Sequence, residues 1–170
     1  MTSKQLKKNS IALCDACVVI FLSKIDYLNY LKDVYENIKL LSCVADELSH
    51  YTKTPDEKNK IHKFISSVEL VKYNKESLSS AALSSTDRKI LSYATENPLV
   101  FILTDDNIIR KIALAENISV LGTLGIFLKL IKQGAISKNE ALRDLNILIN
   151  KHKFRISIEV YSRFLNHLKI

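Results

Sequence analysis

The sequence is poor in the residues that break or staple a chain. Of its 170 residues only 3 are glycine and 2 are proline, and tryptophan is absent. That scarcity excludes a collagen-like repeat and argues against a disordered or loop-rich chain. Three cysteines, an odd number, do not suit a disulfide framework and fit a reducing compartment better. No apolar run reaches the ~18 residues that a bilayer-spanning helix needs. The run after the basic start MTSKQLKKNS lacks a small-residue cleavage site and ends in Lys24. No signal peptide is read, no membrane association is expected, and the expected compartment is the cytoplasm.

What is present is enough for one domain. The chain is 47% hydrophobic, sufficient for a sizeable core at this length. Its net charge of +7 is unevenly placed. Residues 129–170 carry nine Lys/Arg against three Asp/Glu, and the first ten residues add Lys4, Lys7 and Lys8. Residues 11–128 hold thirteen Lys/Arg against fifteen Asp/Glu. An acidic centre with basic ends would suit a polyanion held by its edges and acted on in the middle. A soluble surface with scattered lysines accounts for the same counts.

Hydrophobic patterning predicts alternating strands and helices. Residues 11–14 are a short apolar run ending at Asp15, with a further apolar stretch to Leu22. Ile25, Leu28, Leu31 and Tyr35 recur at helical spacing, so 24–36 reads as an amphipathic helix. A buried strand is expected over 38–44, a helix from 45, a polar break over 52–60 and a helix over 59–67. Residues 68–73 alternate like a strand, and Ser85 or Thr86 would cap a helix running to Glu96. LVFILT, 99–104, is continuously apolar and so expected to be covered on both faces, as parallel strands are. A helix to about 116, a strand over 118–121, and helices over 124–133, 137–151 and 157–168 complete the chain. This order predicts right-handed crossovers and a doubly wound sheet. The expected divisions are a basic segment 1–10, a main domain 11–134, and a helical extension 135–170 packed on that domain.

In an open parallel sheet the ligand site lies beyond the carboxyl ends of the strands. Asp15 ends the first strand, Glu47 follows the second, Asp87 opens the helix before LVFILT, and Asp105 and Asp106 follow that strand. An isolated carboxylate beside an apolar run costs several kcal/mol unless something compensates it. Several carboxylates in one cleft call for hard divalent cations with oxygen ligands, Mg²⁺ or Mn²⁺. Such a site can activate water and stabilise charge on a phosphoryl group. Each acid also has a plainer role. Glu47 and Asp87 would offset helix dipoles from first turns, and Asp106 is a good N-cap. The combination is more specific than any member.

The segments ALCDACVVIFLSKI, VADELSHY, LSSTDRKILSYA, FILTDDNIIRKIA, ISVLGTLGIFLKLIKQGAI and KFRISIEVYSRFL together resemble the PIN-domain family. The nearest likeness is to its branch of predicted nucleic-acid-binding members with a helical C-terminal extension, over about residues 11–168. The resemblance implies a three-layer α/β/α fold with a central parallel sheet. It also implies a Mg²⁺- or Mn²⁺-dependent nuclease, most commonly a ribonuclease, and in many members the toxin of a toxin–antitoxin pair. Asp15, Glu47, Asp87 and Asp106 match the four acids that would bind metal and serve catalysis, with Asp105 the other candidate for the fourth. Thr104 matches the residue often found beside the metal. Cys17 departs from the pattern, since Ser or Thr is usual there. An RNA substrate, with DNA as a further candidate, a cognate antitoxin and a homodimer are the partners the resemblance implies. The alternative is a non-catalytic PIN-type module that binds nucleic acid or protein.

Other constellations carry less. Cys14 and Cys17 have redox-pair spacing after a strand but sit in an apolar run, so buried structural cysteines are expected. Cys43 and the four histidines show no paired zinc spacing. Gly122-Thr-Leu-Gly125 lacks the length and lysine of a phosphate loop and reads as a strand-to-helix turn. Arg110 and Lys111 would either touch a substrate phosphate or pair with Asp106 or Asp87. Lys151, Lys153 and Arg155 form the densest basic run and would hold the backbone or lie solvated. Tyr73, Tyr93 and Tyr161 are candidates for stacking on bases or for packing.

Overall fold

Two apolar tetrapeptides, β1 (Ile11–Cys14) and β4 (Val100–Leu103), lie side by side at the middle of the structure, a computed structural model that describes residues 10–51, 54–77 and 81–168. Around them β2 (Asn37–Leu41), β3 (Glu69–Val71) and β5 (Val120–Leu121) complete one five-stranded sheet in the order β3-β2-β1-β4-β5. Every pairing is parallel. The expected strands all form, and the fold is the three-layer α/β/α arrangement with helices on both faces. Except for Ser10, the expected basic segment 1–10 lies outside the described residues.

The helices are α1 (Ala16–Ser23), α2 (Tyr30–Val34), α3 (Ser42–His50), α4 (Pro55–Ile65), α5 (Ser85–Glu96), α6 (Asn107–Ala115), α7 (Thr123–Gln133), α8 (Lys138–His152) and α9 (Ile158–Leu168). Three boundaries differ from the sequence pattern. The helix expected over 24–36 shrinks to the short α2, and the apolar stretch before it, to Leu22, is α1. The run ACVVIFL is apolar on every side, so the helix has no period to read. Asp26, in the left-handed region at φ 62°, breaks the chain between the two. The second strand stops at Leu41 and α3 begins at Ser42, so Glu47 stands in the second turn rather than the first. The expected polar break before 59 is mostly helix. Thr54 caps α4 by accepting from the Glu57 amide at 3.2 Å, and Pro55 takes the first position, where its missing N–H is not needed.

Register decides where the strands end. Cys14 pairs with Leu103, and Leu103 with Leu121. The ladder runs one residue further. The Asp15 amide donates to the Leu103 carbonyl and the Thr104 amide to the Leu121 carbonyl, both at 2.9 Å. Asp15, Thr104 and Gly122 therefore stand in one row beyond the carboxyl edge of the sheet. The chain winds outward from β1 through β2 to β3, then returns to β4 on the other side. The gap between β1 and β4 is the switch point, where open parallel sheets form their crevice.

The C-terminal helices pack on the same core. Tyr27 donates to the buried Asp144 of α8 at 2.6 Å, Phe154 meets Phe21 edge-to-face at 4.8 Å, and Phe164 of α9 lies 6.4 Å from Phe127. No helix among the described residues is long and apolar enough to cross a membrane.

Gly134 ends α7 at φ 74°, with nothing within 4 Å of the place a Cβ would occupy. Gly134→Ala is therefore a purely backbone substitution. It is expected to cost about 1 kcal/mol, and Gly134→Asn less, with the urea midpoint falling at constant slope. An unchanged midpoint in the alanine variant would refute the left-handed cap.

Candidate functional site

Asp15 sits at the switch point, 6% exposed, as the N-cap residue of α1. It does not use its side chain to cap the helix. Its Oδ2 instead accepts from Thr104 Oγ1 at 2.6 Å and from Cys17 Sγ at 2.9 Å. Both donors are placed by the sheet edge. Thr104 is the neighbour of Asp15 across the β1–β4 pairing, and Cys17 lies one step into α1. Thr104 Oγ1 in turn accepts from the Asp106 amide at 3.0 Å, and Cys17 Sγ accepts from the Asp105 amide at 3.3 Å. The loop after β4 is thus folded onto the two groups that hold Asp15.

Burial pushes the Asp15 carboxyl above the usual carboxylate range. The Cys17 and Thr104 hydrogen bonds and the Ala16 amide act the other way, while the charge of Asp87 pushes it up again. Among the described residues no Lys, Arg or His comes within ion-pairing distance of Asp15. A buried carboxylate facing another carboxylate, with hydrogen bonds but no cation, is only half compensated.

The other acids are held by their own donors. Glu47, exposed on α3, accepts from the hydroxyl of Thr86 on α5. Asp87 accepts from the Ser84 amide at 2.9 Å in a capping box, so the cap of α5 is Ser84 rather than Ser85 or Thr86. Asp106 caps α6 through Oδ1, which accepts from the amides of Ile108 and Ile109 at 2.7 and 2.9 Å. Asp105 turns away to α7, its Oδ1 accepting from the Thr123 amide at 2.9 Å and its Oδ2 from the Thr123 hydroxyl at 2.6 Å. Burial raises the Asp105 carboxyl, against the bonds from Thr123 and the charge of Arg110.

These bonds separate the expected ligands. Asp105 commits both oxygens to Thr123, whereas Glu47, Asp87 and Asp106 each commit one. The donor set is all carboxylate, which suits a hard divalent ion. Its arrangement is not a ready-made cage. Among the described residues no three His, Cys, Asp or Glu side chains stand together as a metal-binding group. What the structure brings together is Asp15 with Cys17, Thr104 and the amides of Asp105 and Asp106, with the charge of Asp87 acting on Asp15 and Glu47 tied to the start of α5.

A family model described as a PIN domain matches residues 11–169. The chain belongs to the PIN-domain family. PIN domains are in general nucleases, and usually work with divalent metals. No curated protein matches the chain.

Within this PIN domain, sequence reasoning missed the roles of Thr86 and Thr123. The sequence pattern makes Thr86 a candidate helix cap, yet it bridges α5 to Glu47. Thr123 opens α7 and pins Asp105. The signal available was a hydroxyl in the first turn of a helix that starts at the carboxyl edge. The cysteines divide as well. Cys14 is fully buried in β1 and its thiol is pushed up by burial and then by the Asp15 charge. Cys17 is also pushed well up, by burial first. A redox or nucleophilic thiol needs the opposite shift. Arg110 pairs with neither Asp106 nor Asp87; its Nη1 donates to the Thr104 carbonyl at 3.2 Å. Lys111, Lys151 and Lys153 are exposed, and Lys153 terminates α8 at φ 57°. Tyr73 and Tyr93 pack on each other edge-to-face at 5.2 Å, and Tyr161 packs against the core.

Because the folded-state pKa of Asp15 is raised, the folded protein binds the proton more tightly than the unfolded chain. Its stability then falls as pH climbs from the unfolded value of 3.8 through the raised one. In metal-free buffer, Asp15→Asn is expected to be more stable than the wild type at pH 7, with the gap closing below pH 3.8. Urea denaturation across pH checks this; a gap between the two proteins that does not change with pH would show that the fold does not raise the Asp15 pKa.

Proposed function

We propose that this PIN domain is a divalent-metal-dependent ribonuclease that hydrolyses phosphodiester bonds at Asp15, Glu47, Asp87 and Asp106. One observation carries the reading. The central strand ends in a buried carboxylate that faces a second carboxylate and has no cation partner among the described residues. Such a charge is retained at a cost to the fold, and a cation in the cleft would reverse that cost.

A bound Mg²⁺ or Mn²⁺ supplies a hard Lewis acid that neutralises charge on the phosphate and on the carboxylates. Asp15 is the fixed donor, oriented by Thr104 and Cys17. Asp106 offers an oxygen from a backbone pinned at both ends, through its amide to Thr104 and its carboxylate to α6. Asp87 adds negative charge opposite Asp15. Glu47, tethered by Thr86 but open to solvent, is the group to take the proton as water attacks phosphorus. The new P–O bond forms in line with the bond that breaks, and the leaving oxygen is protonated by solvent. No Ser, Cys or His nucleophile is required. Cys17→Ser would keep the hydrogen bond to Asp15 with a stronger donor.

A second reading has one observation in its favour. Each carboxylate except Asp15 is bonded in a way that also serves the fold, and the group is not a ready-made cage. A non-catalytic module that binds nucleic acid or protein would look the same. Titration with Mn²⁺ separates the two, since the nuclease is stabilised by millimolar metal and the module is not. A toxin role in a toxin–antitoxin pair is the setting that the resemblance offers; an antitoxin encoded next to this chain should bind it and stop cleavage.

With a mixed RNA pool, Mn²⁺-dependent cleavage is expected from the wild type, and Asp15→Asn should lower the rate at least about a hundredfold. Mn²⁺ should raise the melting temperature of the wild type and leave that of Asp15→Asn unmoved. Equal cleavage rates in the two proteins would end the assignment of Asp15.

A further inference from the structure

Beside the Asp15 centre lies a cavity of about 360 Å³ that the four acids do not occupy. It opens between the β5–α7 turn and the C-terminal segment 154–167, and Asp105 forms its inner end. Its size falls within the range of small-ligand sites. Its walls are of two kinds. One is apolar, its accessible part built from Leu124 and Leu128 of α7, Ile156 after α8 and Val160 of α9, over the buried Phe154 and Phe164. The other is cationic, built from Arg110 of α6, Arg155 and Arg163. The charged lining of the cavity is thus three guanidinium groups, with His167 beside them, against one carboxylate that Thr123 already satisfies.

The inner end is kept open by Gly122. A Cβ there would sit 2.5 Å from Asp105 Oδ1 and 3.0 Å from Arg110 Nη1. The missing side chain lets Arg110 reach over the sheet edge, where it donates to the Thr104 carbonyl. The cavity and the Asp15 centre are therefore joined through a single loop, 104–106. Arg155 and Arg163 are exposed, and Arg163 Nε makes one long bond, 3.4 Å, to the Glu159 carbonyl.

Guanidinium groups recognise phosphate by bidentate hydrogen bonds. An apolar wall beside them takes the face of a base. We propose that this cavity is a nucleotide-binding subsite. A base of the substrate strand lies against Leu124, Leu128 and Val160, and its phosphate meets Arg110, Arg155 and Arg163. The subsite holds the nucleotide next to the bond presented to the Asp15 centre. The proposal rests on the nuclease reading for that last clause and on the cavity alone for the rest. A peptide segment fits less well, because a lining with three arginines and one satisfied carboxylate calls for a strongly anionic ligand rather than a neutral backbone.

The test uses the whole chain with two surface variants. Val160→Trp fills the mouth from a position that is 38% exposed, and Arg163→Glu reverses one rim charge without touching the core. Adenosine monophosphate binding is measured by calorimetry without metal, and steady-state RNA cleavage with Mn²⁺. The wild type should bind the nucleotide, and both variants should bind it about tenfold more weakly, as expected for one lost stacked base or phosphate contact. Both variants should cleave RNA with KM raised by a similar factor and kcat kept. An RNA lacking the base at one position next to the cut should reproduce that KM in the wild type. Nucleotide binding without any cleavage would uphold the subsite and remove the nuclease reading. Cleavage with unchanged KM in both variants, and no nucleotide binding by the wild type, would overturn the subsite, uphold the nuclease and leave the cavity to a protein segment.

Discussion

Everything at the carboxyl edge of this sheet depends on how one carboxylate is buried. Asp15 follows the central strand directly, so parallel register fixes its height, and the helices packed above fix its isolation. Thr104 and Cys17 offset part of the desolvation cost. Neither brings positive charge, and neutral donors cannot cancel an ionised group in a low-dielectric site. The arrangement also fixes the loop after β4. With Thr104 Oγ1 turned to Asp15, its remaining acceptor capacity takes the Asp106 amide. That sets Asp106 at the start of α6. A single charge thus links the pairing of β1 and β4 to the entry angle of the helix that follows.

Much of this was legible in the sequence, and the reasons differ by element. β4 was readable because it is apolar at every position and bounded by Pro98 and Asp105. Asp15 and Asp106 were readable because a charge directly after a buried run is costly to keep unless it caps a helix or meets a ligand. α7, α8 and α9 were readable from their period and from Gly134 and Ser137 at their ends. α1 was not, because a helix apolar on all sides carries no period and looks like a continuing strand. The polar supports were not legible either. Thr86 meets Glu47 from 39 residues away and Thr123 meets Asp105 from 18. Such pairs are created by the crossovers, and no local pattern announces them.

The adjacent acids Asp105 and Asp106 show what the sequence left open and how geometry divides it. Successive side chains of the extended chain point to opposite sides, so one carboxylate goes to α7 and the other to α6. Asp105 spends both oxygens on Thr123 and so fastens the first turn of α7 to the sheet edge. Asp106 spends one oxygen on two amides of α6. Of the pair, Asp106 retains capacity toward the cleft. Asp105 has a different effect: its charge neutralises part of the field of Arg110, which the Thr104 carbonyl holds beside the cavity.

The uneven charge along the chain also acquires a spatial meaning. The acids come from the first 106 residues, with Asp15 at the switch point and the others held around the carboxyl edge by their own donors, whereas Arg155 and Arg163 arrive from the C-terminal segment. Aromatic packing brings them there, since Phe154 seats on Phe21 and Phe164 on Phe127. A negatively charged strand approaching the carboxylates alone would be repelled. In the nuclease we propose, a cationic wall one loop away would give it a place to bind while the reacting phosphate is held against that repulsion. Binding energy from a part of the substrate that does not react would then be used at the part that does.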